Sequence, residues 1–415
     1  MCASAAESRR SIWFTGEEHI NTLILRKGQE QIPGAEYRKL QERFAGENFD
    51  AEKIARLAAE TGMKYAVLTT RHHEGFSLYD TKGLNSFDSI HSPAGRDFTR
   101  EFAEACRAEG IKPFFYHTTL DWMEEDFEKD FDRYLEYLRQ SVEILCTEYG
   151  EIGGFWFDGN WSRPDADWKL DELYGMIRRL QPNALIINNT GLSARGELGH
   201  PEIDSVTFEQ GLAEMPDRSA MEKYVAGEMC CTLNDHWGFG KNDLNYKSPA
   251  ELIRQLCRCR RAGANFLLNV GPDGSGAVPA IMQESLRIVG RWMRLYGPAV
   301  YEGRPDNICG EADDFGLKGQ DGEKYLFCFE LPIDGNAGVT VNRGGGRARR
   351  FTGIHEKVSS VRWMDNGEEL SFEQDCDGGI LTVNASGFSY GENYVVRVAE
   401  VRQGEKCALN LWKIP

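Results

Sequence analysis

The sequence predicts an α/β protein: a (β/α)8-type, TIM-like barrel followed by a C-terminal antiparallel β-sandwich. Three observations carry that prediction. Short apolar runs alternate with amphipathic helical segments from about residue 49 to residue 301. No glycine-rich phosphate loop follows any of those runs, which argues against an open nucleotide-binding sheet. After Tyr301 helical periodicity stops and strand-like runs joined by Gly, Asn and Asp take over. The 415 residues suit one large and one smaller domain, since single cores seldom grow far past about 250–300 residues. The expected division is residues 1–302 for the barrel and 303–415 for the sandwich.

The barrel strands are read in order. A first run at residues 20–25 precedes those at 65–68, 113–116, 154–157, 185–187, 204–207, 224–226 and 266–268. They are short, apolar and flanked by Gly or polar residues, as buried parallel strands are. Between them, residues 50–61 open with Asp50 as an N-cap and close at Gly62. Residues 100–108 close at Gly110, and helical periodicity covers 127–148, 165–180, 250–261 and 280–295. In the tail, strands are expected at 324–329, 338–341, 361–363 and 394–398, with a turn at 344–347.

Composition narrows the function. A formal charge of −17 repels phosphate backbones and anionic lipid surfaces, so nucleic acid and membrane are excluded as expected partners. No apolar stretch of about 18 residues spans a bilayer. Residues 1–10 lack the apolar run of a secretory leader, so the expected compartment is the cytoplasm. The 11 cysteines show no zinc-site spacing and read as reduced thiols.

A barrel builds its active site at the C-terminal ends of its strands. There the sequence places Arg71-His72-His73-Glu74-Gly75-Phe76, then His117 and Asp121-Trp122, Asp158-Gly159-Asn160-Trp161, Asn188-Asn189, Glu209-Gln210 and Glu228. Asp158 ends a very apolar strand beside Trp156 and Trp161, and aromatics next to a carboxylate suit the C–H faces of a sugar. His72 and His73 read as hydroxyl-binding donors rather than metal ligands, because adjacent residues on an extended segment point opposite ways. His117 is expected to touch substrate. Glu209 is the expected second carboxylate, kept partly dry by Phe208 and so suited to general acid work. Glu228 is its rival, with a supporting hydrogen-bonding role as the other reading. Asp121, Asp235 and Asp243 read as caps or turn residues.

The run from Tyr65 to Phe76 resembles the signature of the α-L-fucosidases of glycoside hydrolase family 29, and Phe155-Trp156-Phe157-Asp158-Gly159 resembles the strand that carries the nucleophile there. Thr207-Phe208-Glu209-Gln210, the block from Glu228 to Asn234 with Trp237-Gly238-Phe239, and that from Asn265 to Pro272 are similar to later blocks of the family, in the same order. The resemblance implies a retaining exo-glycosidase that needs no cofactor or metal and acts on a fucosylated oligosaccharide or glycoconjugate, with homo-oligomerisation left open. It implies Asp158 as nucleophile, Glu209 as acid/base with Glu228 in reserve, His72, His73 and His117 on the fucose hydroxyls, and Trp237 facing the sugar, to which the residue reading adds Trp161 beside Asp158. The chain departs from the family at its start: the Phe-Gly-x-Phe-Ile-His-Trp-Gly strand is replaced by Trp13-Phe14-Thr15-Gly16-Glu17-Glu18-His19, where His19 stands as the substitute sugar ligand. Thr190 and Gly227 are further departures from the family's Arg and Trp. The altered first strand gives the alternative expectation, a catalytically impaired sugar-binding barrel.

Overall fold

The computed structural model describes residues 34–404 except 213, 217–220, 336–337, 339 and 341–345. The expected first strand and His19 lie outside the described residues, as do parts of the expected strand at 338–341 and turn at 344–347. The chain divides into two compact units. The described residues up to Lys247 form the first together with Asn265–Arg287, and Ser248–Ala264 with the residues from Ile288 onward form the second.

The first unit is built on β1 (Tyr65–Arg71), β2 (Lys112–Thr118), β3 (Gly154–Asp158), β4 (Leu185–Asn189), β5 (Ser205–Thr207), β6 (Ala226–Thr232) and β7 (Ala264–Asn269). They are hydrogen-bonded in sequence order into one seven-stranded sheet, with parallel pairing from β1 through β6. That order is the barrel's, since each crossover returns the chain to the neighbouring strand. The helices between strands are α1 (Ala51–Thr61), α2 (Phe98–Ala108), α3 (Phe131–Glu148) and α4 (Leu170–Leu180).

Local chemistry sets these helix ends. Asp50 accepts from the Lys53 N–H at 3.0 Å, and Gly62 closes α1 at φ +82°, a left-handed conformation that costs glycine little. Asp97 caps α2, two residues earlier than the periodicity suggested. The expected helix over 127–148 is broken because Asp130 turns out of line to cap α3 through the Arg133 N–H.

Period-2 alternation then sorts the side chains. Val67, Phe114, Tyr116, Trp156, Ile187, Cys230 and Leu267 make one cluster inside the sheet. Phe115, Phe155, Phe157 and Ile186 pack outside it among Tyr134, Leu138, Val142 and Tyr174 of the helices. The seventh expected strand is displaced: the sequence pointed to 224–226, whereas β6 runs over Ala226–Thr232 and Tyr224 is 71% exposed. Glu228 therefore lies within a strand, not after one.

The second unit holds α5 (Pro249–Arg261), the end of α6 (Ala280–Glu302) and eight antiparallel strands in one sheet. The strands are β8 (Arg304–Gly310), β9 (Phe315–Lys318), β10 (Lys324–Phe329), β11 (Ala348–Thr352), β12 (Val358–Trp363), β13 (Phe372–Asp375), β14 (Ile380–Asn384) and β15 (Val396–Gln403). Their order is β12-β15-β10-β9-β8-β11-β14-β13. Leu326, Trp363 and Val401 from one half of this order share a core with Ile308, Phe351 and Leu381 from the other, so the sheet folds over on itself as a sandwich. Arg260 of α5 donates to the carbonyl of Gly303 at 3.0 Å, tying that helix to the start of β8.

Candidate active site

Asp158 ends β3 on the same face as Trp156, which turns its carboxylate toward the barrel interior. Four groups hold it. Tyr116 donates its hydroxyl to Oδ2 at 2.8 Å, and Trp161 donates its indole N–H to Oδ1 at 2.7 Å. Asn189 Nδ2 reaches Oδ1 at 3.2 Å, and His73 Nε2 stands 3.4 Å from Oδ2. Burial by itself would raise this carboxyl. The His73 hydrogen bond and charge, the Trp161 N–H and the nearby His72 outweigh it and bring the pKa down to about 2. Asp158 is therefore an anion across the neutral range, with its lone pairs held in place.

The expectation that His72 and His73 face opposite ways is overturned. The strand ends at Arg71, and a tight turn follows in which the Gly75 N–H returns to the His72 carbonyl at 2.9 Å. Gly75 has φ +80°, and a Cβ there would stand 2.6 Å from Asp121 Oδ1, so the turn requires glycine. Off the strand, the two rings lie side by side with centroids 4.1 Å apart. His72 stacks flat on Tyr116, which stacks in turn on Trp156. Ligand atoms of His72, His73 and Asp158 all fall within 4.8 Å of one another.

Glu209 follows β5, and its partly buried carboxylate accepts from Asn189 Nδ2 at 2.7 Å. Asn189 thus spans Asp158 and Glu209 with one amide. The two contacted oxygens are therefore no farther apart than about 6 Å. Thr207 fixes that amide by donating to Asn189 Oδ1 at 3.0 Å. Trp161 is 36% exposed at the rim, and Trp237 packs half-buried against the interior cluster.

Two expected ligands lie elsewhere. His117 falls on the outward phase of β2 and is fully buried. Its Nδ1 bonds the Thr118 carbonyl on its own strand and its Nε2 bonds Ser141 of α3, each at 2.7 Å, so Nε2 docks the helix and both nitrogens are occupied. Burial and the neighbouring Arg71 charge hold it well below the usual histidine range, as a neutral ring. The expectation of a sugar contact is corrected accordingly. Glu228 sits at 0% exposure on the barrel's inner floor. It accepts from the Tyr65 hydroxyl and, at 2.8 Å, from the Trp156 indole N–H, so it braces the site from beneath, which favours its supporting reading over that of a rival acid or a residue in contact with the sugar. Burial raises its carboxyl despite those two donors. Asp121 and Asp243 are turn residues as expected, accepting from the backbone N–H groups of Met123 and Asn245.

Sequence reasoning missed Tyr116 and Asn189 as partners of the carboxylates. Both were legible from alternation: Tyr116 is two residues from inward Phe114, and Asn189 two from inward Ile187.

The family model for α-L-fucosidase matches residues 3–298. α-L-Fucosidase isoenzyme 1 from Paenibacillus thiaminolyticus is 30% identical with a TM-score of 0.72, covering 90% of this chain and 91% of that one. An α-L-fucosidase from Bacteroides thetaiotaomicron, solved as a trapped covalent intermediate with 2-fluoro-fucosyl fluoride, shares the fold at TM-score 0.71 and 23% identity, with 89% and 86% coverage. The α-L-fucosidase of Dictyostelium discoideum is 25% identical over 316 residues, 72% of this chain. This chain spans just under two thirds of that relative's length, at 66%. Among the described residues no helix is long and apolar enough to cross a membrane. With a family model matched over most of its length and a 30% identical relative covered nearly end to end, the chain belongs to the α-L-fucosidase family, glycoside hydrolase family 29.

Proposed function

We propose that this chain is a retaining exo-glycosidase that removes terminal α-L-fucose from oligosaccharides or glycoconjugates. The observation that carries the reading is the Asn189 amide shared between Asp158 and Glu209, which holds two carboxylates together in the pocket, as a two-carboxylate mechanism needs. Asp158, ionised and fixed by Tyr116, Trp161 and His73, attacks the anomeric carbon as the glycosidic bond breaks. Glu209 delivers its proton to the departing oxygen and then takes one from the water that releases fucose. His72, His73, Trp161 and Trp237 line the sugar pocket, and neither a metal nor a cofactor enters a step. The covalent intermediate trapped in the Bacteroides thetaiotaomicron relative is in keeping with this chemistry.

The test is hydrolysis of an aryl α-L-fucoside by the purified chain, with proton NMR of the first-formed sugar. Chelator-insensitive release of α-fucose that disappears in Asp158→Ala is the expected result. Initial release of β-fucose would overturn the retaining mechanism. A folded chain that binds L-fucose without turnover would leave the sugar-binding barrel as the function.

A further inference from the structure

The geometry points to a second ligand for the pocket: His72, His73 and Asp158 form a site for a borderline-soft divalent cation, zinc or copper(II), which occupies the place of the sugar and blocks it. The cation is an inhibitor, not a cofactor, and its binding stands apart from the fucosidase reading. Only its competition with the sugar rests on that reading.

The argument begins at Thr118. Its hydroxyl donates to the Leu120 carbonyl at 2.5 Å, so toward His73 Nδ1, 2.6 Å away, it presents a lone pair. Nδ1 therefore carries a proton, and Nε2 faces Asp158 Oδ2 across 3.4 Å. Two ligands bound at 2.0–2.1 Å in tetrahedral geometry are about 3.4 Å apart, so this gap is already a zinc edge.

His72 is prepared in the same way. Its Nδ1 lies 3.5 Å from Glu74 Oε2, a buried carboxylate that draws the ring proton to that side. An Nδ1 partner outside the metal, hydroxyl for one ring and carboxylate for the other, is how metal-binding histidines are oriented and their Nε2 atoms freed. The turn closed by Gly75 supplies the convergence, bringing a third ligand atom within 4.8 Å of the other two. Two imidazoles and one carboxylate favour zinc or copper over magnesium or calcium, which prefer oxygen ligands.

Titration of the full chain with zinc chloride by calorimetry, without substrate, tests this. One equivalent is expected to bind in the wild type and to weaken by about tenfold or more in His72→Gln, His73→Gln and Asp158→Asn. His200→Gln, which removes an unrelated histidine–carboxylate pair, is expected to leave that equivalent unchanged. Thr118→Ala keeps all three ligands and removes the hydroxyl that orients His73, together with its bonds to the Leu120 backbone. It is expected to weaken zinc by about tenfold and guards against misfolding of a ligand variant. Equal zinc binding by wild type and all the pocket variants would overturn the proposal, as would no binding at all. L-Fucose is expected to displace the zinc. Histidine-dependent binding that L-fucose does not disturb would support the metal site while counting against the fucose reading.

Discussion

Tyr116 donates its hydroxyl to Asp158 Oδ2 across 2.8 Å, from the middle of an aromatic column running from Trp156 up to His72. Stacking fixes the phenol, so the hydrogen bond is aimed before substrate arrives. Hydrogen bonds to charged groups contribute about 1.5–3 kcal/mol. Tyr116→Phe keeps the stack and loses the donor. It is expected to lower kcat/KM on an aryl fucoside by about tenfold to a hundredfold with the melting temperature little changed. A variant as active as the wild type would show that the nucleophile is held by its other partners alone.

His73 offers a test by pH. In the folded chain Asp158 titrates at about 2, because His73, Trp161 and His72 together outweigh a burial effect of opposite sign. The interactions that favour its anion are intact above the ordinary carboxylate range and are lost as pH falls toward 2. In His73→Ala burial persists and the largest offsetting partner is gone. The acid limb of the kcat/KM profile is expected to move to higher pH. A limb that stays where the wild type has it would mean that another group sets it.

Glu209 and Glu228 separate by leaving group. Glu209 is expected to act on the departing oxygen, so Glu209→Gln should slow substrates with poor leaving groups far more than aryl fucosides whose phenol leaves unaided. Glu228 acts through Trp156 and Tyr65. Glu228→Gln turns one acceptor into a donor facing a donor, which costs about 1–3 kcal/mol in a buried setting. It should slow both substrate types alike and lower the melting temperature. The reverse pattern would exchange the two roles.

These contrasts mark what the sequence made legible. The barrel strands at Tyr65, Pro113, Phe155 and Ile186 were readable because buried parallel strands are continuous apolar runs, and Asp158 because it ends the most apolar of them. Alternation within a strand was the signal left unused. Applied from Phe114, it separates inward Tyr116 from outward His117, and from Ile187 it separates inward Asn189 from Asn188, which bonds Tyr174 behind the sheet. β6 was misplaced because Ala226-Gly227-Glu228 has the composition of a turn, and the apolar run it starts is broken by a carboxylate that the barrel floor satisfies with two donors. The convergence of His72 and His73 depends on where pairing stops, at Arg71, and composition does not register the end of a ladder.

Asp314 provides a last prediction, in the second unit. Its side chain is buried, accepts the Phe329 N–H at 2.7 Å and lies 3.4 Å from Arg349. Burial outweighs both and raises its pKa to about 6. A carboxyl whose folded value exceeds its unfolded value contributes stability below the unfolded value, about 4, and that contribution is lost as pH rises through 6. Urea unfolding is therefore expected to show this unit losing on the order of 1–3 kcal/mol between pH 4 and pH 7. In Asp314→Asn, where nothing at this position ionises, that part of the slope should vanish. Parallel pH profiles for the variant and the wild type would mean that Arg349 neutralises the carboxylate fully, and that the pair is an ion pair throughout.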